Sequence, residues 1–392
     1  MGSEPGWAWR LRVAAVVLPV GMLLVGTALL VPQDGTTGGG GDVPGATRTR
    51  CVDVSTVRSV ADLNRFVTRL RGDPAFTGGD VGASVALQDD RQLFFFGDTL
   101  RDPSFAGPQF VRNSALLVSP TCVSVVLPAD DGAVVPDRDD GVGYWPMSVA
   151  RVERPGYDLV GVALQRVRST GGGGVFDFEV LGPALAVFLV PRGGVPQLVA
   201  QQDLGPDRVD VAAPMWGAAT AVDGGWVYVY GTARAPQQAY SGFSLRVARV
   251  RPDQLLHTDR WQYWDGAAWQ SDPDAAAVLI GAQGGVSQTL SVFEQRGRWF
   301  AISKQNDVLG RDLAIWTAPG PSGPFRLAAQ PVAIPSDAAT GTLRYLPLAH
   351  PDLLPRPGTV VVSYSQNDTD FGDVLDDPRL YRPRFVRVAL PR

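Results

Sequence analysis

Along residues 51–392, short apolar runs alternate with Gly- and Pro-containing turns, and the pattern predicts strands rather than long helices. A short apolar strand, a polar or Gly-rich turn and a stronger second strand recur five times. Val81–Leu87 turns through Gln88-Asp89-Asp90-Arg91 into Gln92–Gly97. The second unit runs from Met147 through Arg154-Pro155-Gly156 to Leu159–Leu164, and the third from Trp216–Ala221 to Trp226–Gly231. Thr289–Phe293 with Arg298–Ser303, and Leu353–Leu354 with Thr359–Tyr364, complete the set. At least one further strand follows each pair, and the second strands start roughly 60 to 70 residues apart. Units that cannot bury both faces alone, repeated at such a spacing, predict an all-β, five-bladed β-propeller. A β-sandwich would give similar strands. Ser59–Leu70 is the helical exception, with Val60, Leu63, Phe66, Val67 and Leu70 on one face, suited to covering a sheet edge.

The N-terminus follows a different pattern. Arg10 and Arg12 precede an uncharged apolar run, Val13–Val31, and about 19 residues at 1.5 Å each cross a bilayer core. The expected organisation is a cytoplasmic segment (1–12), a transmembrane anchor or signal segment (13–31), a flexible linker (32–50) and the propeller (51–392). The expected location is the cell membrane, single-pass with the C-terminal domain outside; the alternative is cleavage and secretion. Export permits a disulfide, for which Cys51 and Cys122 are the two available cysteines; two unpaired thiols are the other reading.

Composition narrows the chemistry. Net charge is −4, so no basic footprint for nucleic acid exists. Two Cys and two His exclude zinc-finger and iron–sulfur frameworks, and one Lys, Lys304, disfavours Schiff-base chemistry. No GxxxxGK[ST] phosphate loop is present. No cofactor is implied, and carboxylates remain as the reactive groups.

In the first hairpin the turn centres near Asp89, so residues whose numbers sum to about 178 face each other. Leu87 meets Arg91, Val85 meets Leu93, and Asp80 meets Asp98. Two Asp so placed repel, which raises one carboxyl pKa and leaves the other ionised, as an acid/base pair requires. The equivalent ends of the other units supply candidate glycan contacts: Thr99, Asn113, Trp145, Trp216, Gln288, Asn306, His350, Asp352 and Asn367. Their ordinary alternative is turn and cap formation. Of the four Glu residues, Glu4, Glu153, Glu179 and Glu294, only Glu179, in a connection the pattern does not place, is worth testing as an acid, so an Asp is the expected acid.

Several segments together resemble a family of secreted bacterial five-bladed propellers that includes endo-D-arabinanases. They are Gly79-Asp80-Val81-Gly82, Phe95-Phe96-Gly97-Asp98-Thr99, Arg112-Asn113-Ser114-Ala115-Leu116, Tyr228-Val229-Tyr230-Gly231-Thr232, Thr317-Ala318 with Ser322-Gly323-Pro324-Phe325, and His350-Pro351-Asp352-Leu353 with Ser363-Tyr364-Ser365-Gln366-Asn367. The resemblance implies hydrolysis of furanosidic linkages in cell-wall polysaccharide by paired carboxylates, which map onto Asp80 and Asp98. The better-known arabinanase and xylosidase propellers are similar in architecture but use a Glu acid. Many hold an axial cation such as Ca²⁺ near a fifth-blade His, which makes His350 the metal candidate. The alternative function is a non-catalytic surface propeller that binds glycan or a wall partner.

Overall fold

The computed structural model describes residues 47–53, 57–69, 73–171, 177–235, 242–337 and 339–392. The expected cytoplasmic segment, anchor and most of the linker lie outside them. Among the described residues no helix is long and apolar enough to cross a membrane.

The chain forms an all-β propeller: four antiparallel sheets of four or more strands and a fifth of three. Sheet 1 contains β1 (Arg48–Asp53), β2 (Gly78–Ala86), β3 (Gln92–Leu100), β4 (Phe110–Val111), β5 (Ser114–Val118) and β6 (Cys122–Leu127). Sheet 2 is β7 (Gly143–Arg154), β8 (Tyr157–Ser169), β9 (Phe178–Pro191) and β10 (Gln197–Asp203). Sheet 3 holds β11 (Met215–Asp223), β12 (Trp226–Ala233), β13 (Ser244–Val250), β14 (Gln262–Trp264) and β15 (Trp269–Gln270). In sheet 4 are β16 (Ser291–Gln295), β17 (Arg298–Lys304), β18 (Asp312–Ala318) and β19 (Arg326–Ala333). Sheet 5 has β20 (Thr342–His350), β21 (Thr359–Asp368) and β22 (Arg384–Ala389).

The first hairpin strands β2, β7, β11, β16 and β20 surround a central cavity of about 310 Å³, to which all five strands or their flanking residues contribute. The core lies in layers between consecutive sheets. Leu93 and Phe95 pack with Val162 and Phe188; Ala163 and Met147 pack with Val229 and Ala248; Tyr230 packs with Val292 and Trp316. This explains why the middle strands are apolar throughout: β12 is buried at every position after Trp226, because neighbouring sheets cover both its faces.

Between sheets 5 and 1 the seam is filled by α1 (Val60–Arg69), whose Leu63 packs on Val361 and Phe385. Asn64 binds the edge of β22 as a strand would, donating to Phe385 O and accepting from Phe385 N, both at 2.8 Å. The helix covers the sheet edge, as its apolar face predicts.

β1 pairs with β6, and Cys51 is bonded to Cys122 across that pair. The bridge closes a loop of 71 residues, worth about 4 kcal/mol in the chain-entropy account. Cys51→Ser/Cys122→Ser is therefore expected to lose about that much stability in urea unfolding, with β1 detaching first.

Sequence reading misplaces one element. The inner strand of sheet 5 is β20, not Leu353–Leu354, because a long connection spanning 351–358 separates it from β21.

Candidate active site

Four of the five inner strands carry a β-bulge at one end of the propeller, here called the mouth. The register shifts occur between Gly79 and Ala83 in β2, Pro146 and Ser148 in β7, Trp216 and Ala219 in β11, and Tyr345 and Leu348 in β20. Bulges re-aim side chains, and here they do so at Asp80, Trp145, Trp216 and Tyr345. Backbone strain marks the same places: Val81 has φ 65° and Leu346 has φ 45°, unusual for bulky residues. Val81 is held there by its N–H, which donates to Ser365 Oγ at 2.9 Å.

Asp80 and Asp98 meet at this mouth, but not as a directly opposed pair. The predicted register holds at Val85–Leu93 and Gly79–Thr99. Between them, Gly97 and Asp98 of β3 face the single residue Asp80 before Val81 meets Phe96. Gly97 is required: a Cβ there would collide with the Asp80 carboxylate.

Asp80 and Asp98 are both half-buried, enclosed by protein while keeping some accessible surface. Burial raises the Asp80 pKa to about 6, opposed by hydrogen bonds from Tyr345 and Tyr381. The Tyr345 hydroxyl donates to Asp80 Oδ2 at 2.8 Å. Asp98 rises further, to about 8, chiefly by burial and then by the Asp80 charge. The Trp145 Nε1–H donates to Asp98 Oδ1 at 2.6 Å, and Arg112 also favours ionisation. Asp80 ionises first, while Asp98 is still neutral, so only Asp98 feels a neighbouring charge. Between these two values the pair as a whole holds one proton.

Further groups support the pair. Trp145 packs edge-on against Phe178, ring centroids 4.6 Å apart. The Arg112 guanidinium lies 3.7 Å from Asp137, whose own pKa burial raises. Asn367, a predicted glycan contact, hydrogen-bonds Tyr345 and so stands behind Asp80. Lys304, the chain's one lysine, is fully buried and donates to Val308 O at 2.9 Å and Arg344 O at 2.5 Å, fixing the backbone just before Tyr345.

Several predicted contacts prove structural. Thr99 is fully buried, donating to Gly97 O and bonded to Ser114 Oγ. Asn113, also fully buried, clamps Val135 N and O together with Tyr144 O, which steadies the chain entering Trp145. Asn306, after β17, accepts from Gly284 N in the loop before β16. Gln288 stands at the mouth end of sheet 4 with a half-buried side chain, and its carbonyl accepts from Thr232 Oγ1. Glu179 is taken up by Arg168.

His350 and Asp352 are not at the mouth. His350 ends β20, deep in the seam, with Nδ1 2.6 Å from Ser84 Oγ and Nε2 2.7 Å from Ser363 Oγ. Burial lowers its pKa to about 3. Both ring nitrogens are engaged by hydroxyls, so the residue does not fit a metal ligand, and no group of three metal-binding side chains occurs among the described residues. Asp352 lines the far end of the cavity. The misplaced inner strand of sheet 5 caused both errors.

Tyr345, Tyr381 and Arg112 are the site residues that sequence reading missed. Placing β20 correctly would have found Tyr345, which holds in sheet 5 the position of Trp145 and Trp216. Tyr381 reaches the mouth from a short helical turn before β22, and no periodicity announces it.

Fold and geometry together define a β-propeller with two half-buried aspartates side by side at the mouth of its axis. The chain belongs to the family described as Domain of unknown function (DUF5005), whose model matches residues 61–390. A Bacteroides ovatus protein described as a presumed hydrolase is 19% identical, with 83% of this chain and 89% of that one covered and a TM-score of 0.59. That likeness is one of fold. A glycoside hydrolase family 43 arabinoxylan arabinofuranohydrolase from Bacillus subtilis is 12% identical over 81% of this chain and 64% of that one, TM-score 0.49. A GH43_1 enzyme from Xanthomonas citri is 15% identical over 83% and 92%, TM-score 0.45. No curated protein matches the chain.

Proposed function

We propose that this protein is a glycoside hydrolase that cleaves arabinofuranosidic linkages of cell-wall polysaccharide, D-arabinan being the first substrate to test. The observation that carries this reading is the meeting of the Asp80 and Asp98 side chains at the mouth of the propeller, where Tyr345 and Trp145 hydrogen-bond them. Asp98, protonated near neutral pH, is the general acid that donates to the leaving glycosidic oxygen. Asp80, ionised and held by two tyrosine hydroxyls, is the nucleophile or the base that activates water. Trp145 and Trp216 flank the mouth, where aromatic faces stack on sugar rings. The likeness of fold to the Bacteroides ovatus protein agrees with hydrolysis.

The reading includes export and anchoring. It rests on the run Val13–Val31 behind Arg10 and Arg12, and on the Cys51–Cys122 bond, which persists in an oxidising compartment. The test is incubation of the purified protein with arabinans, xylans and galactans. New reducing ends are expected from an arabinan. Glycan binding without any release would make the protein a binding propeller instead.

A further inference from the structure

Sheet 3 presents a second feature at the mouth that the acid/base pair does not use. Trp216 is paired with Gly231, and Gly231 with Arg246, so the three form one cross-strand row on the same face. Gly231 has no side chain, and the indole occupies the space: a Cβ there would lie 2.7 Å from Trp216 Cε3. The ring therefore lies over the middle strand, toward Arg246, and rests against Tyr263 with centroids 5.1 Å apart.

Arg246 is half-buried, and Nη1 donates to Ser244 Oγ at 2.7 Å. Among the described residues no carboxylate pairs with it. Burial is the sole cause acting on its ionisation, and it acts against the charge. Two other arginines at this end are ion-paired, Arg112 with Asp137 at 3.7 Å and Arg234 with Asp307 at 3.9 Å, while Arg344 and Arg384 donate to backbone carbonyls. An enclosed guanidinium without a counter-charge is costly to keep. Its remaining donors are not sealed, and a planar fork of N–H groups suits a carboxylate or a phosphate.

We propose that Trp216 and Arg246 form a subsite for a sugar residue carrying an anionic group, the indole taking the ring and the guanidinium taking the carboxylate or phosphate. The proposal rests on the reading of the mouth as a glycan site, and it concerns binding rather than turnover.

The test uses the full chain with Asp98→Asn, so that no probe is consumed. Digalacturonate and arabinose 5-phosphate are titrated calorimetrically beside their neutral counterparts, galactobiose and arabinose. At least one anion is expected to bind tenfold or more tighter than its neutral partner, and the winner tells carboxylate from phosphate. Arg246→Met should bring that preference below twofold and leave neutral binding unchanged; Arg246→Lys should retain part of it. Should Arg246→Met fold poorly, salt gives the same answer without it: the preference should shrink several-fold between about 0.05 M and about 0.5 M. Equal binding of charged and neutral probes, a preference that survives Arg246→Met, or one indifferent to salt would overturn the proposal. Failure of the wild type to release any glycan would sink the hydrolase reading alone and leave this binding result standing.

Discussion

Asp98→Asn is expected to abolish turnover and to stabilise the protein at once. Loss of a general acid costs about a thousandfold in kcat, read as reducing ends released from arabinan. The fold should persist, because an Asn Oδ1 still accepts the Trp145 Nε1–H. Stability moves the other way. Burial and the Asp80 charge push the Asp98 pKa up to about 8 in the fold, against 3.8 for a free Asp. Between those values the folded state binds more protons than the unfolded one, so stability falls as pH rises through the window. Each pKa unit is worth about 1.4 kcal/mol. Asp98 is only half-buried, so solvent screening discounts the full shift, and the gain at pH 8 is on the order of 3 kcal/mol. Urea unfolding of wild type and variant at pH 4 and pH 8 separates the two: the difference should grow with pH. A residue that weakens the fold and is needed for the reaction belongs to function rather than packing.

The second large effect is on pH dependence. With Asp80 at about 6 and Asp98 at about 8, kcat/KM should be bell-shaped with limbs near those values. The Tyr345 hydroxyl stabilises ionised Asp80, so Tyr345→Phe should move the acid limb upward and leave the basic limb in place. The variant then loses most activity near pH 6 and least near pH 7.5. A uniform loss at all pH values would mean that Tyr345 only supports the fold.

Much of this architecture is legible in the sequence, for a physical reason. Strand alternation and turn chemistry are local, so the hairpins around Asp89, Gly224 and Gly297 follow from residues close in the chain. The meeting of Asp80 with Asp98 follows from the first of these. The bulges do not follow, because they are set by what packs on each strand: Ser365 holds Val81 from the neighbouring sheet. A polar residue at a strand end is ambiguous for the same reason. Asn113 and Thr99 look like ligands in sequence, yet full burial turns their hydrogen bonds inward. The fifth hairpin is misplaced by sequence because its long, Pro-containing turn hides where β20 ends. That one error cost Tyr345 and misplaced His350 and Asp352. Arg246 gave no signal at all, since its meaning depends on what does not face it.

Enclosure of both groups, and the Asp80 charge beside Asp98, leave one proton shared by two neighbouring aspartates. Carboxyl ¹³C NMR titration of the wild type and of Asp80→Asn tests it most directly. The expected result is titration near 6 for Asp80 and near 8 for Asp98, with the Asp98 value falling once its neighbour's charge is removed. Titration of both groups near 4, with Asp98 indifferent to Asp80→Asn, would contradict the account.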